Sequence, residues 1–183
     1  RLPRKAVLHE PGKFLVQQVW ERVGAARRLA RVIIATDHEE ILRAGTSFGA
    51  EVMMTSPDHA SGTDRVHEVA RRIGAELVLN VQGDEPEVDS AALDAVVTAL
   101  EQGCAMATLA CPLLDEQKFV RPNHVKVVCD HSGRALYFSR APIPWQSGAT
   151  PRGALLHLGV YGFQRETLER FAELEPSSLE QSE

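Results

Sequence analysis

No apolar run in these 183 residues approaches the length of a membrane span, since a helix needs about 20 consecutive apolar residues to cross a bilayer. Cysteine is scarce. Cys104, Cys111 and Cys129 are odd in number and lack the close pairing of zinc ligands, so buried free thiols in a reducing cytoplasm are expected. There is no surplus of basic charge either: 20 Lys and Arg stand against 25 Asp and Glu, a net charge of −5. That balance argues against a broad nucleic-acid surface, though a local basic pocket for a phosphorylated small molecule would not show in the total. Low-complexity segments, internal repeats and long linkers are missing as well. With 44% hydrophobic and 25% charged residues, the composition predicts an ordinary soluble globular protein of one domain, large enough for a proper core. The opening Arg1-Leu2-Pro3-Arg4-Lys5 is neither a signal peptide nor a natural start, since Met is absent. Ser177 and Glu180 have the spacing of a capping box for a helix that begins just as the chain stops. Both ends read as cut.

The patterns that are present alternate between strand and helix. Leu15, Val19 and Val23 repeat at helical spacing before Gly24, and Arg31 to Ala35 is a compact β-branched run. Thr36 or Asp37, followed by Glu39 and Glu40, has the chemistry of a helix start. Glu51 to Thr55 reads as a second strand, Val66, Val69, Ala70 and Ile73 as a helix stripe, and Glu76 to Val81 as a third strand. Another helix follows the possible caps Asp89 and Ser90, carrying Leu93, Val96, Val97 and Leu100. Strands and helices alternating in this way predict βαβ units and a largely parallel sheet covered on both faces. After Gln102 the pattern changes. Ala105 to Ala110 is a candidate strand, and Lys126 to Cys129 and Ala135 to Ser139 flank the polar turn Asp130-His131-Ser132-Gly133, which suits an antiparallel hairpin. Two prolines keep Ala141 to Trp145 out of any central strand, so that segment is expected to be exposed or interfacial. His157 to Phe163 reads as a last strand, with Leu168 and Phe171 on a following helix.

Chemistry concentrates where the third strand stops. Leu77 to Val81 ends in Gln82-Gly83-Asp84-Glu85-Pro86, and open α/β sheets bind ligands at the carboxyl ends of their strands, so Asp84 stands where a metal-binding carboxylate is expected. Taken alone, a turn with Asp84 as a local hydrogen-bonding residue is about as good a reading. Three other clusters each have a plain structural reading. Arg1, Arg4 and Lys5 around Pro3 suit a triphosphate, or form a solvated basic end. Asp58 to Arg65 joins hydroxyls, a glycine and an arginine at a strand-to-helix junction that could read a base or phosphate, while Thr63 or Asp64 could equally be only a helix cap. His157 and Tyr161 lie an even number of residues apart and share a strand face, where they could equally be core residues.

Together these blocks become specific. Arg1-Leu2-Pro3 with Lys5, Ala35-Thr36-Asp37, Ser61-Gly62-Thr63-Asp64-Arg65, Asn80-Val81-Gln82-Gly83-Asp84-Glu85-Pro86, Met106-Ala107-Thr108-Leu109, Val125-Lys126-Val127-Val128, Leu136-Tyr137-Phe138-Ser139-Arg140 and His157-Leu158-Gly159-Val160-Tyr161-Gly162 follow one another in order. In that order and approximate spacing the chain closely resembles, from end to end, the 3-deoxy-D-manno-octulosonate (Kdo) cytidylyltransferases. The resemblance implies an α/β, Rossmann-like nucleotidyltransferase fold with a mixed, largely parallel central sheet and an antiparallel hairpin in the second half. It implies Mg²⁺-dependent transfer of CMP from CTP to the anomeric hydroxyl of Kdo, releasing pyrophosphate, for lipopolysaccharide synthesis in the cytoplasm. By similarity, Arg1 and Lys5 would hold the triphosphate, Ser61, Gly62, Thr63 and Arg65 the cytidine end, and Asp84 the metal. Gln82 would lie beside the sugar or ribose, and His157, Tyr161 and Arg140 would face Kdo. A homodimer is implied too, with Pro142 to Trp145 as part of the contact, and neither nucleic acid nor membrane as partner.

Against the family pattern, the first strand with an arginine and serine ahead of Arg1 is missing, as are a sugar-binding Glu-Gln pair and a second metal-binding aspartate beyond Glu183. These departures describe a single domain over residues 1–183 whose sheet is short of a strand at one end, and they leave the activity of this piece open. Two alternatives remain at this stage: a cytidylyltransferase for another ulosonic acid of the sialic type, and a nucleotide-binding module without catalysis.

Overall fold

The computed structural model describes residues 9–10, 12–147 and 152–182. The chain divides into two compact units, Arg1–Ala107 with Val160–Leu174, and Thr108–Gly159 with Glu175–Glu183.

In the first unit a short antiparallel pair, β1 (His9–Glu10) and β2 (Lys13–Phe14), leads into α1 (Leu15–Gly24). Leu15, Val16, Val19 and Val23 bury one face of that helix, the 3.6-residue stripe its spacing foretold. β3 (Ile33–Thr36) and β4 (Glu51–Met54) pair in parallel, joined by α2 (Glu39–Ser47). The N-cap of α2 is His38 rather than Thr36 or Asp37, and no side chain caps it. The Thr36 hydroxyl is used one step earlier, accepting the His38 amide at 3.1 Å. The N-cap of α3 (Gly62–Ile73) falls earlier than expected, two residues before Thr63 and three before Asp64. Ser61 is its N-cap and Asp64 is the third helical residue, each side chain bonding the other's backbone amide in a reciprocal capping box. Gly74 closes the helix in the left-handed conformation at φ 65°, which a residue with a side chain enters only at a cost.

β5 (Leu77–Val81) and α4 (Ser90–Glu101) follow, the latter capped by Asp89 and burying Leu93, Val96, Val97 and Leu100. β5 pairs antiparallel with the second half of β9 (Leu155–Gln164), Asn80 facing Tyr161 and Val81 facing Val160. α6 (Arg165–Ala172) returns against α3, and Leu168 and Phe163 join Ala70 and Val78 in a core cluster. Gly162 is fixed by packing. A Cβ there would overlap the Val96 side chain and stand 3.0 Å from Leu100 Cδ1. Gly162→Val should therefore cost about 2 kcal/mol, lowering the thermal midpoint by roughly 4–8 °C, a shift that differential scanning calorimetry would read.

β3 and β5 do not pair with each other. Among the described residues no strand covers their second edges, and a cleft of about 700 Å³ is lined by Ile33, Ile34 and Ala35 from one and Leu77, Leu79 and Val81 from the other, with Val19 and Trp20 of α1. β3 and β5 each stand at the end of their own sheet, where the sequence predicts a missing strand.

The second unit is built on antiparallel pairing. β6 (Met106–Pro112), which enters from the first unit, pairs with β9. α5 (Glu116–Val120) is N-capped by Asp115 and packs Phe119 with Leu113 and Ala154. β7 (Lys126–Cys129) and β8 (Ala135–Ser139) form the expected hairpin, with a register irregularity at Val128/Cys129, and β7 also pairs with the start of β9. Asp130 organises the turn by accepting from the Ser132 and Arg134 amides. α7 (Ser178–Ser182) is the helix anticipated at the end of the chain. The three cysteines are free as expected, but they are not buried. Cys104 is exposed and Cys111 and Cys129 are half-buried, because Cys104 follows the last turn of α4 and the other two lie on strands that are only partly covered.

Candidate functional site

In the first unit, the carboxyl ends of β3 and β5 and the amino end of α3 bring a polar cluster together. β3 ends at Thr36, almost fully buried, with Asp37 next. Asp37 Oδ2 pairs with Arg65 Nη2 of α3 at 2.9 Å, the two side chains being 22% and 17% exposed. The same guanidinium donates through Nη1 to Thr55 Oγ1 and, at 3.4 Å, to the Ser56 carbonyl. Arg65 thereby joins the ends of β3 and β4 to the first turn of α3. A planar cation with five donors can make all of these bonds at once, which a lysine could not. On β5, the buried Asn80 donates from Nδ2 to Thr63 Oγ1 at 3.3 Å. Thr63 is thus oriented from the strand side, and Ser61 is held by its capping box.

β5 then breaks as the sequence indicates. Gln82, Gly83, Asp84 and Glu85 are exposed, and the turn is closed by the Glu85 amide on the Gln82 carbonyl at 3.2 Å. Asp84 therefore lies exposed in the turn that follows β5. The described residues hold no cluster of three or more His, Cys, Asp or Glu arranged for a metal. A single exposed carboxylate nevertheless fits Mg²⁺, which keeps several waters and takes one or two carboxylates together with substrate phosphates.

The expected sugar-side residues fall in both units. In the second, His157 Nε2 and Thr108 Oγ1 lie 2.9 Å apart, the ring stands edge-on to Phe138 at 4.8 Å, and the His157 amide donates to the Val125 carbonyl. Burial pushes the His157 pKa down from 6.5, so the imidazole is neutral at neutral pH. A histidine depressed in this way takes up its proton more readily in the unfolded chain, so the stability it contributes is complete above 6.5 and is lost as pH falls from there through the depressed value. Urea midpoints measured at about pH 7.5 and about pH 5.5 should show this decline, and His157→Asn should flatten it. Arg140, exposed, donates from Nη1 to the Pro122 carbonyl at 3.0 Å. Its own carbonyl receives the ammonium of Lys126, a fully buried lysine that also donates to the Arg121 and His124 carbonyls. Tyr161 belongs to the first unit, where it packs on the Ala70, Val78, Phe163 and Leu168 cluster, and burial raises its pKa.

The structure thus assembles Ser61, Gly62, Thr63, Arg65, Gln82 and Asp84 in one unit. Arg1 and Lys5 lie outside the described residues. Sequence reasoning missed the Asp37–Arg65 pair, Asn80 as the partner of Thr63, and Lys126. Only the position of Asp37 at the end of a β-branched run, and a lysine inside the apolar run from Val125 to Val128, could have signalled them.

Comparison with solved structures defines the class. A CMP:2-keto-3-deoxy-manno-octonic acid synthetase complexed with CTP superposes with a TM-score of 0.92 at 35% identity, covering 100% of this chain and 76% of that one. A cytidylyltransferase from Leptospira borgpetersenii shares the fold at a TM-score of 0.61 and 18% identity, covering 98% of this chain and 61% of its own. The architecture is that of a Rossmann-like α/β nucleotidyltransferase.

The cytidylyltransferase family model matches residues 1–183. The 3-deoxy-manno-octulosonate cytidylyltransferase of Solibacter usitatus is 47% identical over 188 residues, spanning 100% of this chain and 74% of the relative, and that of Geobacter sulfurreducens is 43% identical, spanning 100% and 78%. The chain belongs to the 3-deoxy-manno-octulosonate cytidylyltransferase family.

Proposed function

We propose that this chain carries the nucleotidyl-transfer domain of an enzyme that moves CMP from CTP to the anomeric hydroxyl of Kdo. The hydroxyl oxygen forms a bond to the α-phosphorus, the bond from that phosphorus to the bridging oxygen breaks, pyrophosphate leaves, and the hydroxyl proton passes to solvent. The reading is carried by one observation: Asp84 follows β5 in the same unit where Arg65, Thr63 and Ser61 are fixed at the start of α3, in a chain 47% identical to a 3-deoxy-manno-octulosonate cytidylyltransferase.

Such a transfer needs positioning and charge neutralisation more than covalent help. Ser61, Gly62, Thr63 and Arg65 hold the cytidine end, where hydrogen-bonding groups discriminate between bases far better than an apolar pocket could. Gln82 contacts ribose or sugar, and Arg1 and Lys5 offset the charge of the triphosphate. Asp84, with substrate phosphates, would hold Mg²⁺, which supplies charge stabilisation at the phosphoryl oxygens. Arg140, His157 and Tyr161 serve the sugar, with Arg140 facing its carboxylate. A neutral His157 hydrogen-bonded to Thr108 suits a polar hydroxylated ligand.

The chain acts as one domain. β6 and β9 each begin in one compact unit and end in the other, and the cleft between β3 and β5 supports a further strand in that place. The enzyme works in the cytoplasm as a homodimer that supplies lipopolysaccharide synthesis. The 83%-exposed Trp145 and the exposed Leu136, Tyr137 and Phe138 on β8 support the dimer, because large apolar side chains left in water gain from burial against a partner. Sedimentation of the full-length protein tests it. A panel of Kdo, a sialic acid and other ulosonic acids, each supplied with CTP and then with the other nucleoside triphosphates, tests the substrate reading. Turnover is expected with CTP and Kdo, and turnover confined to another pair would replace it.

A further inference from the structure

Residues 55–61, between β4 and α3, lead to the groups that meet cytidine in the proposed reaction, and one carboxylate ties this loop to the helix. Glu68 lies seven residues past the N-cap of α3 and uses both of its oxygens. Oε2 accepts the Ser56 amide at 3.0 Å and also meets His59 Nε2. Oε1 receives Arg72 Nη2, and Nη1 of the same guanidinium donates to the Met54 carbonyl at 2.6 Å. Glu68 therefore binds the start of the loop directly, its middle through His59, and the end of β4 through Arg72. His59 and Glu68 are only 22% and 20% exposed, so water competes weakly for the pair. The Ser56 amide and then His59 hold the Glu68 carboxyl below the usual carboxylate range, consistent with an acceptor that stays ionised.

The loop is thus anchored twice. Arg65 fixes it at Thr55 and Ser56, and Glu68 fixes it at Ser56 and His59, leaving only Pro57 and Asp58 between the anchors and Ala60 before the capped Ser61. Neither His59 nor Glu68 is among the residues assigned to the nucleotide above. Holding a binding loop in its bound shape removes an ordering cost that CTP would otherwise have to offset.

We propose that His59 and Glu68 are positioning residues for the CTP-binding loop, acting through their mutual bond to set nucleotide affinity and not the chemical step. This rests on the cytidylyltransferase reading above. In the full-length enzyme, His59→Ala and Glu68→Ala should raise KM for CTP about 10- to 100-fold while leaving kcat and KM for Kdo within about threefold. The double variant should be no worse than Glu68→Ala, because both changes remove the same link. His59→Gln, which keeps a donor at similar reach, should recover most of the lost affinity. Should Glu68→Ala fail to fold, the two His59 variants decide alone, since His59 sits on the loop. An unchanged KM for CTP in folded His59→Ala, a fall in kcat at unchanged KM, or no recovery in His59→Gln overturns the proposal. A wild-type enzyme inactive with CTP would instead overturn the cytidylyltransferase reading, whatever the variants do.

Discussion

In the full-length enzyme, Asp84→Asn is expected to lower kcat for pyrophosphate release by about 10²- to 10⁴-fold, because a metal held at transferring phosphate oxygens contributes several kcal/mol of charge stabilisation. The substitution keeps the size of the side chain, removes its charge and exchanges one acceptor oxygen for an amide donor. Asp84 is exposed in the turn that ends β5, so stability should change by no more than about 0.5 kcal/mol. An activity loss without a stability loss is the signature of a ligand rather than of a turn residue, which is the question the sequence left open. Raising Mg²⁺ should recover part of the rate if the variant is short of metal affinity. Recovery would not follow if Asp84 merely shaped the turn.

Arg65→Met is expected to act on both stability and affinity. Methionine fills much of the arginine's path and leaves Asp37 with its main partner gone. Removing one member of a buried ion pair costs about 3–5 kcal/mol. With some solvent access at this site, about 2 kcal/mol is a reasonable expectation. That should appear as a thermal midpoint lower by roughly 4–8 °C. Because Arg65 also holds Thr55 and Ser56, KM for CTP should rise about 30-fold or more, in line with the loss of a charge-assisted bond. Arg65→Lys should repair little of either effect, since one ammonium cannot reach Asp37, Thr55 and Ser56 together. Repair of both by lysine would show that charge alone matters there.

The sequence reading placed Asp84 in the turn after a strand because that signal is local. A continuous apolar run cut short by Gly83 and Pro86 is a buried strand ending in a loop, and β5 is that strand. The cap of α3 was harder, since Ser61, Thr63 and Asp64 all have capping chemistry. Backbone geometry chose Ser61 and made Asp64 its reciprocal partner. Asp37 and Arg65 are 28 residues apart, and the place of Asp37 at the end of a β-branched run is the one local hint of the pair. It exists because β3 and α3 are brought together by the core beneath them. Lys126 interrupts an apolar run and would pass for a solvent-facing residue, yet three backbone carbonyls surround its ammonium. The sheet was legible as mixed, and its hairpin was placed to the residue at both strands. The antiparallel partner of β5 was not, because β9 comes more than seventy residues later and pairs through packing that no local period encodes.

Pyrophosphate release from CTP, Mg²⁺ and Kdo, with wild-type and Asp84→Asn full-length protein side by side, tests the central claim most directly. Release by the wild type and its severe loss in a folded, CTP-binding Asp84→Asn variant is the expected result. A wild-type protein that binds CTP but releases no pyrophosphate with Kdo or any other ulosonic acid would contradict it, and a nucleotide-binding module without chemistry would take its place.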